Sequence, residues 1–271
     1  MKFFGITTAL AAIAIPGIIL TSCDEVKENE RYIDMGEITA KRTVLLEEFT
    51  GQYCTNCPLA HESIEKIEEQ YGDNFIAVSI HATSLALEDD PTATIQGLKQ
   101  PEGDIYAQHW GVTNIPIGIV NRQGGLTDLS TWQGLVRTAM ENDTPVDINL
   151  SATLDETGKN IDIATDIYSG DNIDGNLQLW VVESGIIAPQ FGTSTFYPTY
   201  THNNVFRTAV NGTWGEDVEL ITRESRSFSH TVAVNENWDI DNTIIVAFVY
   251  TDGDGVLQAA KCAISGSSIT E

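Results

Sequence analysis

The sequence predicts two folded regions, an α/β region at residues 42–144 followed by an all-β region, an antiparallel β-sandwich, at residues 145–271. Three observations support this division. Strand and helix patterns alternate in the first region, apolar and polar residues alternate in the second, and the pattern changes at Pro145. The length of 271 residues is enough for two domains of ordinary size.

The first region predicts a strand, a helix and a second strand in that order. The run "TVLLEEF" is β-rich, "LAHESIEKIEEQYG" carries apolar residues at helical spacing, and "FIAVSIHA" is almost continuously apolar. This order implies a right-handed crossover and a parallel strand pair. After a polar stretch at residues 83–103, the sequence predicts a short helix at 104–110, two strands that turn at 122–125, and a closing helix capped by Ser130.

The second region predicts strands joined by tight turns. "VDINLSATLDETGKNIDIATDIYSG" alternates around one such turn, and "NTIIVAFVYTDGDGVLQAAKCAIS" around another. The Asp-Gly-Asp-Gly at 252–255 indicates a hairpin turn rather than a calcium loop, because the later glutamate of such a loop is missing. Cys262 is expected as a buried small side chain, with a reactive thiol as the alternative.

The first 22 residues predict an export signal. One basic residue precedes an apolar run, and the interior Pro16 and Gly17 argue against a transmembrane helix. The ending Leu20-Thr21-Ser22-Cys23 resembles the lipobox of bacterial lipoproteins, which implies cleavage before Cys23 and a lipid on its thiol. Residues 23–41 are acidic and polar, as expected of a lipidated tether.

The net charge excludes one class of partner. The chain carries a formal charge of −25, which repels nucleic acid phosphates and anionic headgroups alike. We therefore expect protein partners, membrane attachment only through the lipid on Cys23, no nucleic acid and no cofactor.

Cys54 and Cys57 lie where the first strand gives way to the first helix. The dipole and free amides of a helix start stabilise a thiolate, so Cys54 is predicted to attack and Cys57 to resolve. A structural disulfide is the first alternative, although so short a loop removes little chain entropy. A metal site with Cys57, His61 and a distant His81 or His109 is the second, although only three ligands are local.

Residues 42–142 resemble the thioredoxin fold. The Cys-x-x-Cys opens the first long helix after a central strand, and "TNIPIGIVNRQG" is similar to the loop whose proline follows a cis peptide bond. The resemblance implies that Ile115-Pro116 is cis and that the backbone around Ile115 pairs with a substrate peptide. It also implies that Glu48 relays protons for Cys57. Alternation along "VLLEEF" buries at least one of Glu47 and Glu48, unless both are wet at the strand end.

Three features depart from the thioredoxin pattern. Thr55 and Asn56 replace the usual Gly-Pro between the cysteines, and Tyr53 replaces the usual tryptophan beside the substrate. Residues 83–103 form an insertion that could shape a substrate groove. The redox potential and the direction of electron flow are therefore left open.

Over its full length the chain resembles a Bacteroidetes outer-membrane lipoprotein family named for a twenty-eight-kilodalton member. The lipobox, "GQYCTNCP", "LWVVESGIIAPQ" and "YTHNNVFRTAVNGTWGED" carry this resemblance. It implies an outer-membrane lipoprotein of the cell envelope, facing the periplasm or the exterior, with a two-domain layout.

Two functions follow as expectations. The first is thiol–disulfide exchange with exported client proteins or a redox partner. The second is a non-enzymatic surface or adhesion lipoprotein with a structural or retired disulfide. The aromatic residues of the second region are expected in its core, with a ligand surface as the alternative. They are Trp180, Trp214, Tyr197 and Tyr200, near His202.

Overall fold

The computed structural model describes residues 41–88 and 96–266. These residues belong to one compact unit. The predicted signal peptide, the lipidated Cys23 and all but the last residue of the tether lie outside the described residues. Within the described ranges, no helix is both long and apolar enough to cross a membrane.

Three strands and three helices form the first region. Strand β1 pairs in parallel with β2 and antiparallel with β3, so the predicted parallel pair is confirmed. Every residue of β1 and β2 is buried, as expected for strands covered on both faces. The elements are β1 (Val44–Thr50), α1 (Cys57–Tyr71), β2 (Phe75–His81), α2 (Pro101–Trp110), β3 (Ile117–Val120) and α3 (Leu129–Met140).

Ten strands form the second region, which is β-rich as predicted. They are β4 (Val146–Leu154), β5 (Asn160–Ser169), β6 (Ile173–Glu183), β7 (Ile186–Phe191), β8 (Phe196–His202), β9 (Val205–Ala209), β10 (Glu216–Leu220), β11 (Glu224–Ala233), β12 (Thr243–Thr251) and β13 (Gly255–Ser265). The turn at 252–255 joins β12 to its antiparallel partner β13, so the hairpin prediction is confirmed.

One large mixed sheet of 11 strands runs through both regions, in the order β11-β5-β4-β13-β12-β6-β9-β2-β1-β3, with β10 beside β6. The link across the predicted boundary at 144–145 is the parallel pairing of Ser79 in β2 with Val205 in β9. One hydrophobic core likewise combines side chains of both regions, among them Phe49, Trp180 and Phe248. Strands β7 and β8 stand apart as a two-stranded hairpin.

Three local predictions are wrong. Only one strand forms around the turn at 122–125, because the chain beyond it makes a single bridge from Thr127 to Gly118 before α3 begins. Helix α3 starts earlier than predicted, with Asp128 rather than Ser130 at the N-cap position. Cys262 is half-buried, because it packs at the margin of the second-region core, on the face opposite the exposed Lys261 and Ala263. Partial burial raises the pKa of the Cys262 thiol to about 11.

Candidate functional site at the Cys54–Cys57 disulfide

A tight turn connects β1 to α1 and carries the disulfide. The Cys54 amide donates to the Gly51 carbonyl at 2.9 Å. A side chain at Gly51 would place its Cβ 2.6 Å from the Leu85 carbonyl oxygen, so only glycine fits there. Helix α1 begins at Cys57 with Asn56 at the N-cap. Cys57 therefore occupies the helix start that the sequence assigned to Cys54, and Cys54 lies in the preceding turn.

Cys54 and Cys57 are bonded to each other, with their sulfurs 2.11 Å apart. Cys54 is the more exposed of the two, as predicted, but its exposed fraction is only 3%, and that of Cys57 is 0%. The predicted attacking sulfur is thus buried in this structure. The reason is a cover that the sequence did not reveal.

The cover is the β7–β8 hairpin, residues 186–202, which belongs to the second region. Gln190 donates through Nε2 to the Cys54 carbonyl at 2.9 Å and to the Gly51 carbonyl at 3.3 Å. The Phe191 amide donates to the Gln52 carbonyl at 2.8 Å. The Phe191 ring packs against the Tyr53 ring with centroids 5.1 Å apart. The hairpin therefore contacts the cysteine turn in two ways, through hydrogen bonds to its backbone and through a ring contact with a side chain.

Strand β1 brings a buried carboxyl to the α1 side of the sheet. Glu48 is fully buried and has no cationic partner in the described part of the chain; the nearby hydroxyls of Ser79 and Thr50 lower its pKa but do not offset burial. Burial raises the pKa of Glu48 to about 8. Its neighbour Glu47 is also buried but forms an ion pair with Arg122 at 2.7 Å. The predicted burial of Glu48 is confirmed; its proton-relay role stays a prediction.

Three histidines lie near this carboxyl; His81 and His202 are buried, and His61 is half-buried. His61, one turn past Cys57 on α1, lies with Nε2 3.9 Å from Glu48 Oε1. The His202 ring from the hairpin lies 6.2 Å from the His61 ring and 5.3 Å from the His81 ring, centroid to centroid. Burial lowers the pKa of His61 to about 3, that of His202 to about 4, and that of His81 well below its usual range. All three are therefore neutral at pH 7.

A tyrosine of the hairpin completes the cluster. The hydroxyl of Tyr200 lies 3.0 Å from Nδ1 of His61, while Nε2 of His61 lies 3.0 Å from the hydroxyl of Thr50. The sequence singled out Tyr200 and His202 as aromatic neighbours but gave no sign that they face Glu48 and His61. Across the described ranges, no three histidine, cysteine or acidic side chains are placed to hold a metal ion.

The loop before β3 lies at the same end of the sheet as the cysteines. The Ile115–Pro116 peptide bond is cis, as the resemblance implied. The following residue, Ile117, pairs with Phe49 near the end of β1, from which the chain enters the cysteine turn. Tyr53 lies at the surface beside this turn, with 44% of its area exposed. Ile115, Pro116 and Tyr53 thus lie toward the end of β1 from which the cysteine turn begins.

Comparisons with known proteins give a family and a fold. The model of the family described as outer membrane protein Omp28 matches residues 103–268. HBP35 of Porphyromonas gingivalis is 15% identical, with 87% of this chain and 80% of that chain covered, at a TM-score of 0.63. Protein AGR_C_4864 from Agrobacterium tumefaciens is 12% identical, with 87% and 99% covered, at a TM-score of 0.52. Both similarities concern the fold alone.

A domain of the outer membrane lipoprotein Omp28 from Porphyromonas gingivalis is 22% identical, with 45% of this chain and 88% of that chain covered, at a TM-score of 0.33. Its superposition is too poor to support any structural argument. Among curated proteins, no significant match is found.

Proposed function

The chain belongs to the Omp28 family of outer membrane proteins, and from this premise we propose that it exchanges disulfides with exported proteins through Cys54 and Cys57. Its membership agrees with the predicted location in the outer membrane of the bacterial envelope. In that oxidising compartment disulfides form and persist, so a dithiol pair can take part in oxidation, reduction or isomerisation of other exported chains.

The observation that carries the proposal is the buried carboxyl of Glu48, which no cation of the described residues neutralises and whose pKa is raised to about 8. Burying a carboxyl without an ion pair destabilises a fold, and groups with such shifted pKa values concentrate at functional sites. A disulfide that closes so short a loop contributes little stability in return. Packing explains neither the buried Glu48 carboxyl nor the short-loop disulfide, whereas both have a role in thiol chemistry.

In the reduced protein, the Cys54 thiolate attacks one sulfur of a client disulfide. The client bond breaks as the Cys54–client bond forms, and the second client sulfur leaves as a thiolate. The Cys57 thiolate then attacks Cys54 Sγ, which releases the first client sulfur and closes the Cys54–Cys57 bond. The client gains the two electrons that the pair loses, and a dithiol partner protein resets the pair.

Glu48 takes the proton of Cys57 in this scheme. A thiol has an ordinary pKa of about 8.5, and burial brings the pKa of Glu48 to about 8. Proton transfer between groups with such similar pKa values is nearly balanced in free energy. The backbone at Ile115 and Pro116 would hold the client chain beside Cys54, and Tyr53 would contact it from the exposed side.

Exchange in this scheme requires the β7–β8 hairpin to move, because a protein thiol cannot reach Cys54 while it is 3% exposed. The hairpin is a separate two-stranded sheet, and most residues of β8 are exposed. Isolated hairpins of this size are marginally stable in water. Local opening of such a unit costs much less than global unfolding.

The finer fold assignment forms part of the same proposal. A thioredoxin-like region at 42–144 is supported by the strand order β2-β1-β3, by α1 and α3 packed in one core with β1, and by the cis bond before β3. A β-sandwich at 145–271 is supported by a second core made by strands of that region. Lipid attachment at Cys23 is proposed on the lipobox alone.

The burial of Cys54 favours a second candidate function. In a non-enzymatic surface or adhesion lipoprotein, the disulfide would fix the turn on which the hairpin rests, and no client would need access to it. Both sulfurs would then stay oxidised under mildly reducing conditions.

Alkylation after an acid quench separates the two functions. We expect the Cys54–Cys57 pair to titrate reversibly in glutathione buffers and Cys54→Ser to abolish reduction of insulin disulfides. Cys262→Ser is the matched control, since it removes a thiol that lies outside the pair. A pair that resists millimolar glutathione, together with unchanged insulin reduction in Cys54→Ser, would leave only the adhesion function.

A further inference from the structure

A cavity of about 390 Å³ lies on the α2 side of the sheet, away from the disulfide. Arg122, two residues after the last residue of β3, lines it. The cysteine turn lies instead beyond the opposite end of β3, because Ile117 pairs with Phe49 while Val120 pairs with Leu46. The cavity therefore belongs to neither the exchange site nor its cover.

Aromatic rings form much of the cavity wall. Trp110 from the end of α2, Trp214 from the loop before β10 and Tyr250 from β12 all line it. The Tyr250 hydroxyl donates to the Trp214 carbonyl at 2.6 Å, which fixes two of these walls relative to each other. Small-molecule sites are typically concave and aromatic, with a few polar groups that orient the ligand.

One side chain of this cavity holds a buried donor without a partner. Arg122 is 8% exposed, directs Nε and Nη2 to the Glu47 carboxylate at 2.7 and 3.3 Å, and also hydrogen-bonds to the Tyr250 hydroxyl. Nε1 of Trp110 is buried and has no partner within the described chain. Buried donors are rarely left unpaired in folded proteins, so this one calls for an acceptor atom from outside the chain.

The local charge decides which acceptor fits. Glu47 is fully buried and already neutralises the Arg122 guanidinium. Asp252, exposed, also lines the cavity, and the whole chain carries a charge of −25. A ligand anion would meet this negative charge without an unpaired cation to offset it. The same charge and the aromatic rings would attract a ligand cation, but its donors would leave the buried Trp110 donor without an acceptor.

We propose that this cavity binds an uncharged cyclic molecule that carries an acceptor oxygen, such as an amide carbonyl. The ring packs between the Trp110, Trp214 and Tyr250 side chains. The oxygen accepts from Trp110 Nε1, which supplies the acceptor that the fold lacks.

Three probes that share a ring and differ in one polar end test this proposal. They are 2-phenylacetamide, phenylacetate and phenethylamine, which are neutral, anionic and cationic at neutral pH. Titration of the whole protein is followed by the indole N–H signals of its tryptophans in NMR spectra. We expect the amide to bind at least about five-fold more tightly than the anion, the cation to bind more weakly than the amide, and the Trp110 signal to move downfield.

The matched variants are Trp110→Phe and Trp238→Phe. Both remove one indole N–H and keep an aromatic ring, but Trp238 does not line this cavity. Trp110→Phe should weaken amide binding about five-fold, and Trp238→Phe should leave it unchanged.

Four results would overturn the proposal: no amide binding up to its solubility limit, tighter binding of the anion, equal binding of the cation, or amide binding that leaves the Trp110 signal unmoved. The first and last are measured on the unaltered protein, so a folding defect in a variant cannot hide them.

Discussion

The two faces of β1 each bury a glutamate, and the two glutamates have opposite surroundings. On the α2 face, Glu47 forms an ion pair with Arg122, whose guanidinium carbon lies 4.4 Å from the centre of the Tyr250 ring. On the α1 face, Glu48 has no cationic partner in the described residues and lies beside neutral histidines. One face holds a compensated charge. The other holds a carboxyl that keeps its proton at pH 7 and can exchange it.

This difference teaches which of two adjacent, chemically identical side chains is available for proton transfer. Alternation alone places them on opposite faces of the sheet. Arg122 lies on one face only, which gives Glu47 a structural role and leaves Glu48 for the proton transfer proposed above.

The largest effect is expected from Arg122→Gln. The substitution leaves the Glu47 carboxylate buried without its cation, which should lower the free energy of unfolding by about 3–5 kcal/mol. Urea denaturation followed by tryptophan fluorescence measures the change. A loss below about 1 kcal/mol would mean that the ion pair does not hold this face together.

The second effect is a pH dependence that Glu48→Gln should remove. Glu48 has a pKa of about 8 in the folded chain against an ordinary value of 4.5. Its contribution to folding stability is therefore full below pH 4.5 and is lost as the pH rises toward 8. Between pH 6.5 and 8 the unaltered protein should lose about 2 kcal/mol of stability relative to Glu48→Gln. Parallel stability curves for the two proteins would contradict the raised pKa.

The histidines should change folding stability with pH in the opposite direction, in the same measurement. Their folded pKa values lie below the ordinary 6.5, so below that pH the unfolded chain binds more protons and stability falls as the pH drops toward 4. His202→Phe should reduce this acid-side loss and leave the alkaline side unchanged. An acid-side loss of the same size in His202→Phe would remove His202 from the cluster.

The third effect tests the cover. Gln190→Ala removes the side-chain donor to the Cys54 and Gly51 carbonyls, and we expect the Cys54–Cys57 bond to be reduced by dithiothreitol about ten-fold faster. Ile187→Ala on the same hairpin is the control, because that side chain is 54% exposed. Equal reduction rates in the two variants would show that hairpin opening does not limit access to the disulfide.

The smallest effect is expected from Tyr200→Phe. The substitution removes the hydroxyl beside His61 and keeps the ring, so stability should fall by about 1 kcal/mol and reduction of the disulfide should speed up only a few-fold. Rates measured beside Gln190→Ala rank the two contacts. A larger acceleration in Tyr200→Phe than in Gln190→Ala would reverse our assignment of which contact holds the hairpin down.

The parts of the fold that local sequence dictates were predictable. Apolar spacing in α1 marks Leu59, Ile64 and Ile67, of which Ile64 and Ile67 are buried and Leu59 is exposed. Continuous apolar runs mark β1 and β2. The pairing of Ser79 with Val205 was not predictable, because no local pattern records which distant strand lies at the edge of β2. The helix start at Leu129 was misplaced because Asp128 and Ser130 are both good capping residues.

Part of the candidate site was likewise predictable from local sequence, and part was not. The cysteine pair and Glu48 are neighbours in sequence, and their placement follows from strand alternation and a strand-to-helix junction. The contacts of Gln190 with the Cys54 carbonyl and of Tyr200 with His61 cross between the two regions. They depend on how the hairpin lies on the turn, which composition and periodicity do not encode.

The ends of the hairpin have a mechanical consequence. Glu183, the last residue of β6, pairs directly with Val205, the first residue of β9. The hairpin leaves the large sheet and rejoins it at two strand termini that are already hydrogen-bonded to each other. In the exchange proposed above, residues 186–202 would therefore swing outward about a fixed base, with no pairing of the large sheet broken, and would return to the cysteine turn after the client departs.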